Sequence, residues 1–210
     1  MISASEALQR LVEGNDRFVS GTPRHSSDPG TRLAPSSQDQ EPIAIILGCS
    51  DSRVPAEFVF DQGLGDLFVI RVAGNIVAPS QTGSVEFAAQ KFGTRLVVVL
   101  GHSECGAVLA TLKELECPSA GRSPGILSIV NRIRPSVQPL FDTEHRYTPD
   151  SLLRHAIRAN VQASANALRT GSRLLENLMK EDNLLIVSAE YSLETGVVEF
   201  FDGLPAAFNR

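Results

Sequence analysis

The sequence predicts an α/β fold. A mostly parallel β-sheet, of about four parallel strands plus an antiparallel edge strand, is flanked by helices and preceded by an N-terminal helical arm. Three observations predict it. Apolar, β-branched runs at 43–48, 67–71 and 95–100 read as buried strands. Segments of helical spacing separate those runs, which argues for parallel strands joined by right-handed crossovers. Two further strand-like runs near the C-terminus flank a short Gly-bearing loop, the mark of a hairpin.

Each element follows in order. Ala7, Leu8, Leu11, Val12 and Phe18 lie at helical spacing within 3–19, with Ser3 or Ser5 as N-cap. Such an arm packs either on a partner subunit or on its own domain. The stretch from Ser20 to Gln40, rich in Ser, Pro, Gly and Asp, reads as an extended surface loop. The strand at 43–48 leads into a short helical turn from Pro55 to Phe60. The strand at 67–71 precedes a helix near 82–92. The strand at 95–100 precedes a helix starting near Cys105. After a Pro/Gly/Ser loop at 117–125, helices are predicted near 126–134, 150–170 and 172–181. The hairpin pairs 184–191 with 197–201, and its last strand adds the antiparallel edge.

Composition narrows the function. The chain has 210 residues, which predicts a single domain over 1–210, with an arm and loop at 1–40 and an α/β core at 41–210. Hydrophobic residues make up 42% and charged residues 20%, and the net charge is −5. No Lys/Arg block points to nucleic acid or an anionic membrane. No apolar stretch approaches the roughly 20 residues that span a bilayer. The first residues lack the basic-then-apolar pattern of a secretory leader, so a cytoplasmic location is expected. Three cysteines in a reducing compartment suit metal or catalytic chemistry better than disulfides. Cys117 has no nearby partner and reads as a bystander.

Two clusters carry the chemistry. Cys49-Ser50-Asp51-Ser52-Arg53 follows the first strand, and His102-Ser103-Glu104-Cys105 follows the third. Two thiols, an imidazole and a carboxylate form a donor set that zinc selects. Their position at strand C-terminal ends is where α/β sheets place active sites. His102 and Cys105 are three apart, so one turn of a helix start aims both at one ion. Two thiolates and one imidazole leave a fourth position. Open, it lets zinc acidify a water molecule; closed, it makes a structural site.

Asp51 decides between these outcomes. As a fourth ligand it closes the site. Paired with Arg53, whose planar fork suits a carboxylate, it leaves the position open and orients the nucleophile. A structural Cys₂HisAsp zinc is the nearest alternative. His25, His145 and His155 sit in no metal-like spacing, and the dinucleotide and Walker A spacings are absent. Val72-Ala73-Gly74-Asn75 follows a strand and either lies near the site or makes a simple turn.

Three segments closely resemble the β-class carbonic anhydrases, bacterial type. They are Gly48 to Pro55 (GCSDSRVP), Phe60 to Asn75 (FDQGLGDLFVIRVAGN) and Val98 to Val108 (VVLGHSECGAV). The resemblance implies zinc held by Cys49, His102 and Cys105, with Asp51 and Arg53 as a catalytic dyad and Asp51 a zinc ligand only in a closed state. It implies reversible hydration of CO₂ to bicarbonate, hence a zinc lyase. It further implies a homodimer, in some members a homotetramer, with N-terminal helices embracing the partner. Val54, Gly74, Phe87 and Gly106 are candidate pocket residues, and Val85 a further contributor from the neighbouring subunit. Arg71 and Tyr191 match two residues of a bicarbonate site in a bacterial subgroup, where Ile46 replaces the third, a Trp. The plant-type substrate Gln is Gly63 here. COS or CS₂ hydrolysis on the same scaffold, and a non-catalytic zinc protein, are the rival functions.

Overall fold

The computed structural model describes residues 2–24, 40–118, 121, 123–143 and 146–208. Its strands are β1 (Ala44–Gly48), β2 (Leu67–Arg71), β3 (Leu96–His102), β4 (Leu185–Tyr191) and β5 (Val198–Asp202). They form one sheet in the order β2-β1-β3-β4-β5. The first four are parallel, and β5 pairs antiparallel with β4. The expected mixed sheet is therefore the observed one.

Every residue of β1 and of β3 is buried. Their unbroken apolar runs hide an alternation that only the pleat shows. Ile46, Leu96, Val98 and Leu100 face one core. Ile45, Leu47, Val97 and Val99 face the other. The helices α1 (Ala4–Val19) and α2 (Ala56–Val59) cover the first face. The second is covered by α3 (Pro79–Lys91), α6 (Pro149–Thr170) and α7 (Arg173–Glu181). A third core gathers Cys49, Cys105, Ile133, Val137 and Ile157, with α4 (Gly106–Glu116) and α5 (Pro124–Phe141) closing the C-terminal end of the sheet.

The arm question has a local answer. Ser3 caps α1 in a capping box with Glu6, and Ala4, Ala7, Leu8 and Leu11 are buried on the chain's own sheet. Asn15 locks the helix down. Its amide donates to the Val59 and Gly196 carbonyls at 3.0 and 2.9 Å and its oxygen accepts from the Val198 N–H at 2.8 Å. The inner face of α1 is thus used within its own chain, and only the outer face is left for a partner.

Two boundaries differ from expectation. α3 begins at Pro79 rather than near 82, because proline at the first helical position gives up a hydrogen bond the helix does not use there. α5 runs to Phe141 rather than stopping at 134. It continues through Pro135 and Pro139 because Val130, Ile133 and Val137 keep one face buried, and that burial outweighs the lost backbone bonds. Most of the loop predicted over 20–40, and His25 and His145, fall outside the described residues. Among the described residues no helix is long and apolar enough to cross a membrane.

Candidate metal centre

β1 and β3 are neighbours in the sheet, with Gly48 opposite Leu100, so whatever follows each strand emerges side by side. Cys49 follows β1 directly. His102 is the last residue of β3, and Cys105 caps α4. The expected aiming of His102 and Cys105 by one turn of helix start is therefore corrected. The chain reverses between them, with Glu104 at φ +58, and brings a strand end and a helix cap together. One donor atom from each of Cys49, His102 and Cys105 lies within 4.8 Å of the others, and all three residues are buried.

The electronics of this group fit a cation. His102 Nδ1 is 2.8 Å from the Ser103 carbonyl, which favours a proton on Nδ1 and a lone pair on Nε2. Nε2 is buried and, among the described residues, has no hydrogen-bond partner of standard geometry. A buried imidazole nitrogen without a partner is costly unless something fills its lone pair. Contact with the Cys105 thiol holds the Cys49 thiol well below its ordinary range against the cost of burial. The same contact, with burial, pushes Cys105 up. Of the two sulfurs, Cys49 therefore favours the thiolate form. Burial disfavours a charged His102, but the Cys49 sulfur and the Ser103 carbonyl outweigh it and carry its pKa upward. A divalent cation would satisfy the unfilled lone pair and the concentrated negative charge together.

Asp51 stands beside this group but is engaged elsewhere. Its Oδ1 accepts from Arg53 Nε at 2.9 Å and from the Arg53 backbone N–H at 3.0 Å, and its Oδ2 accepts from Arg53 Nη2 at 2.8 Å. The guanidinium holds the carboxyl well below the usual carboxylate range. Oδ2 is nevertheless only 4.0 Å from His102 Nε2, so the carboxylate faces the donor cluster while bound in the fork.

The remaining sequence-predicted residues divide. Gly74 belongs to the cluster: its N–H donates to the Cys49 sulfur at 3.3 Å. Gly106 opens α4, and a Cβ there would meet nothing within 4 Å, so space is free at that point. Val54 turns into the core under α1, away from the donors. Phe87 is 54% exposed and packs with Phe68 and Phe92, so its ring forms surface beside β2. Val85 is wholly enclosed in its own core and offers no face to a neighbouring subunit. Arg71 donates to the Cys49 and Asp51 carbonyls at 3.1 and 2.6 Å. Tyr191 is buried against Phe18, on a strand separated from that of Arg71 by β1 and β3. Cys117 is exposed.

An open cleft of about 710 Å³ is bordered by Arg53, Ser103 and Glu104, which neighbour the donors in the chain, with Ile157 and Leu193 among its apolar lining; the donors themselves do not line it. Two residues with clear structural roles have weak sequence signals. Ser103 ties the β3 loop to the hairpin, donating its N–H to the Tyr191 carbonyl and accepting from the Leu193 N–H, both at 2.9 Å. Asn160 donates to the Gly74 carbonyl at 2.8 Å. Its only signal is a polar residue inside the apolar stripe of α6.

Comparison with known proteins agrees with this geometry. The family model described as carbonic anhydrase matches residues 44–198. Carbonic anhydrase 2 of Mycobacterium tuberculosis (strain ATCC 25618 / H37Rv) is 46% identical over 133 residues, covering 62% of this chain and 63% of that protein. The match thus spans under two thirds of that relative's length. Among solved structures, the β-carbonic anhydrase CcaA superposes with a TM-score of 0.73 at 27% identity, over 94% of this chain and 89% of that one. A structure described with two tetrameric β-carbonic anhydrases of Sordaria macrospora shares the fold at a TM-score of 0.72 and 21% identity, over 94% of this chain and 98% of that one.

Proposed function

We propose, from the premise that this chain belongs to the β-class carbonic anhydrase family, that it hydrates CO₂ reversibly to bicarbonate and a proton at a zinc ion held by Cys49, His102 and Cys105. One observation carries the reading: Asp51 faces the three donors while both its oxygens are committed to Arg53. A structural four-ligand site has no use for a carboxylate held off the metal in this way.

A bound zinc ion supplies Lewis acidity, which lowers the pKa of water towards neutrality. The protein's residues do the rest. Arg53 keeps Asp51 ionised and fixes its orientation. Asp51 then accepts a hydrogen bond from the attacking oxygen and turns a lone pair towards CO₂. The Gly74 N–H withdraws charge from the Cys49 sulfur, so that two thiolate donors do not oppose water ionisation fully. The released proton passes to buffer through the cleft bordered by Arg53 and Glu104. Asp51 becomes a zinc ligand only if the Arg53 fork opens.

On this reading residues 1–210 form a single cytoplasmic domain that works as a homodimer or homotetramer, using the outer face of α1 and the exposed Phe87. Stopped-flow CO₂ hydration by protein with its zinc content measured, with COS and CS₂ in parallel, tests it. Hydration far above buffer, with slower turnover of COS and CS₂, is expected. Zinc without CO₂ turnover would leave a non-catalytic protein, and preference for COS or CS₂ would move the activity to hydrolysis.

A further inference from the structure

α6 presents a buried stripe of Ala156, Ile157, Val161, Ser164, Ala165 and Leu168 to the sheet, and Asn160 lies within it at 2% exposure. An amide in an apolar stripe costs free energy unless its hydrogen bonds are met. Asn160 meets this by donating to the Gly74 carbonyl at 2.8 Å, and the same Gly74 donates its N–H to the Cys49 sulfur at 3.3 Å. The turn Ala73–Asn75 between them is held in one shape. Gly74 has φ +71, a conformation that disfavours side chains, and a Cβ there would sit 2.8 Å from Ile133 and 3.0 Å from Ala107. Gly74 is therefore packed closely against Ala107 of α4 and Ile133 of α5, and the peptide group that follows it is held at its carbonyl by Asn160.

We propose that Asn160 is a positioning residue for the metal centre: by holding the Gly74 carbonyl it fixes the turn Ala73–Asn75, and with it the direction in which the Gly74 N–H, on the preceding peptide group, bonds the Cys49 sulfur. Hydrogen bonds to a ligating sulfur reduce its donation and fix its direction. Serine at 160 is too short to reach the carbonyl, and leucine has the size of asparagine but no donor. Both remove the link, one by reach and one by chemistry.

This inference rests on the metal-centre reading, and the test separates the two. Wild type, Asn160→Ser and Asn160→Leu are loaded with cobalt(II), and the sulfur-to-cobalt charge-transfer band and retention against a chelator are measured. Both variants are expected to displace the band and, because the sulfur is no longer held in direction, to hold cobalt about tenfold more weakly. Variants that melt earlier but keep the wild-type band and retention would overturn the proposal and leave Asn160 a packing residue. Wild type that takes up no cobalt would instead remove the metal-centre reading. Should neither variant fold, cadmium-113 in the wild type decides. Scalar coupling between the Gly74 amide proton and the metal is expected, and its absence refutes the link.

Discussion

The two loops that meet at the metal centre are built by different means. The loop after β1 carries Cys49, Asp51 and Arg53 and is held by guanidinium groups. Arg53 grips the Asp51 carboxylate, and Arg71 grips the Cys49 and Asp51 carbonyls. The Arg53 side chain is 58% exposed. The loop after β3 carries His102 and Cys105, both buried, and is held by Ser103 through the strand that follows in the sheet. Ion-pair contacts at a surface are screened and adjustable, whereas shielded main-chain bonds are not. The two donors on the β3 side are thus held through main-chain bonds, and the Asp51 carboxylate by an exposed guanidinium.

The largest effect should come from the fixed side. Cys105→Ser is expected to lose the metal on dialysis, as measured by elemental analysis; one zinc per chain in that variant would break the assignment of the β3 loop as anchor. Next, Asp51→Ala is expected to keep the metal and lose hydration by on the order of 10²- to 10⁴-fold, the range for a positioned proton-handling group. Full stopped-flow activity would remove the dyad. Arg71→Ala should lower hydration by about tenfold with metal retained, because it loosens the loop and not the ligands. The smallest effect is Ser103→Ala, which leaves the Leu193 N–H without its acceptor. It should cost about 1 kcal/mol, read calorimetrically as a fall in melting temperature of about 2–4 °C. An activity loss in Ser103→Ala equal to that of Arg71→Ala would erase the distinction between the loops.

How much of this was legible beforehand follows the same division. The strands were readable because β1 and β3 are apolar throughout, and their neighbours are spaced for crossovers. Cys49, Asp51, Arg53, His102 and Cys105 were readable as candidates because metal chemistry restricts residue types and spacing. Residue types alone allow Asp51 either partner; the family resemblance implies the pairing with Arg53, and the structure has it. The Arg71 Nε and Nη2 bonds to the Cys49 and Asp51 carbonyls have no sequence signature, since backbone acceptors carry none. Asn160 lies 86 residues from Gly74, and only the packing of α6 on the sheet brings them together. The extent of α5 was hidden because proline is a local signal and the burial of Val130, Ile133 and Val137 is not.

Gly101 immediately precedes His102, and a Cβ there would stand 2.4 Å from a Val161 methyl. In mechanical terms it is the bearing point on which α6 rests. The helix has no clearance towards the sheet, so its travel is one-sided: it can lift but not press inward. Lifting exposes Ile157 and Val161, at roughly 1.5–3 kcal/mol for each side chain brought fully into water. Any side chain in place of Gly101 would therefore have to raise α6 at the point where His102 leaves the sheet.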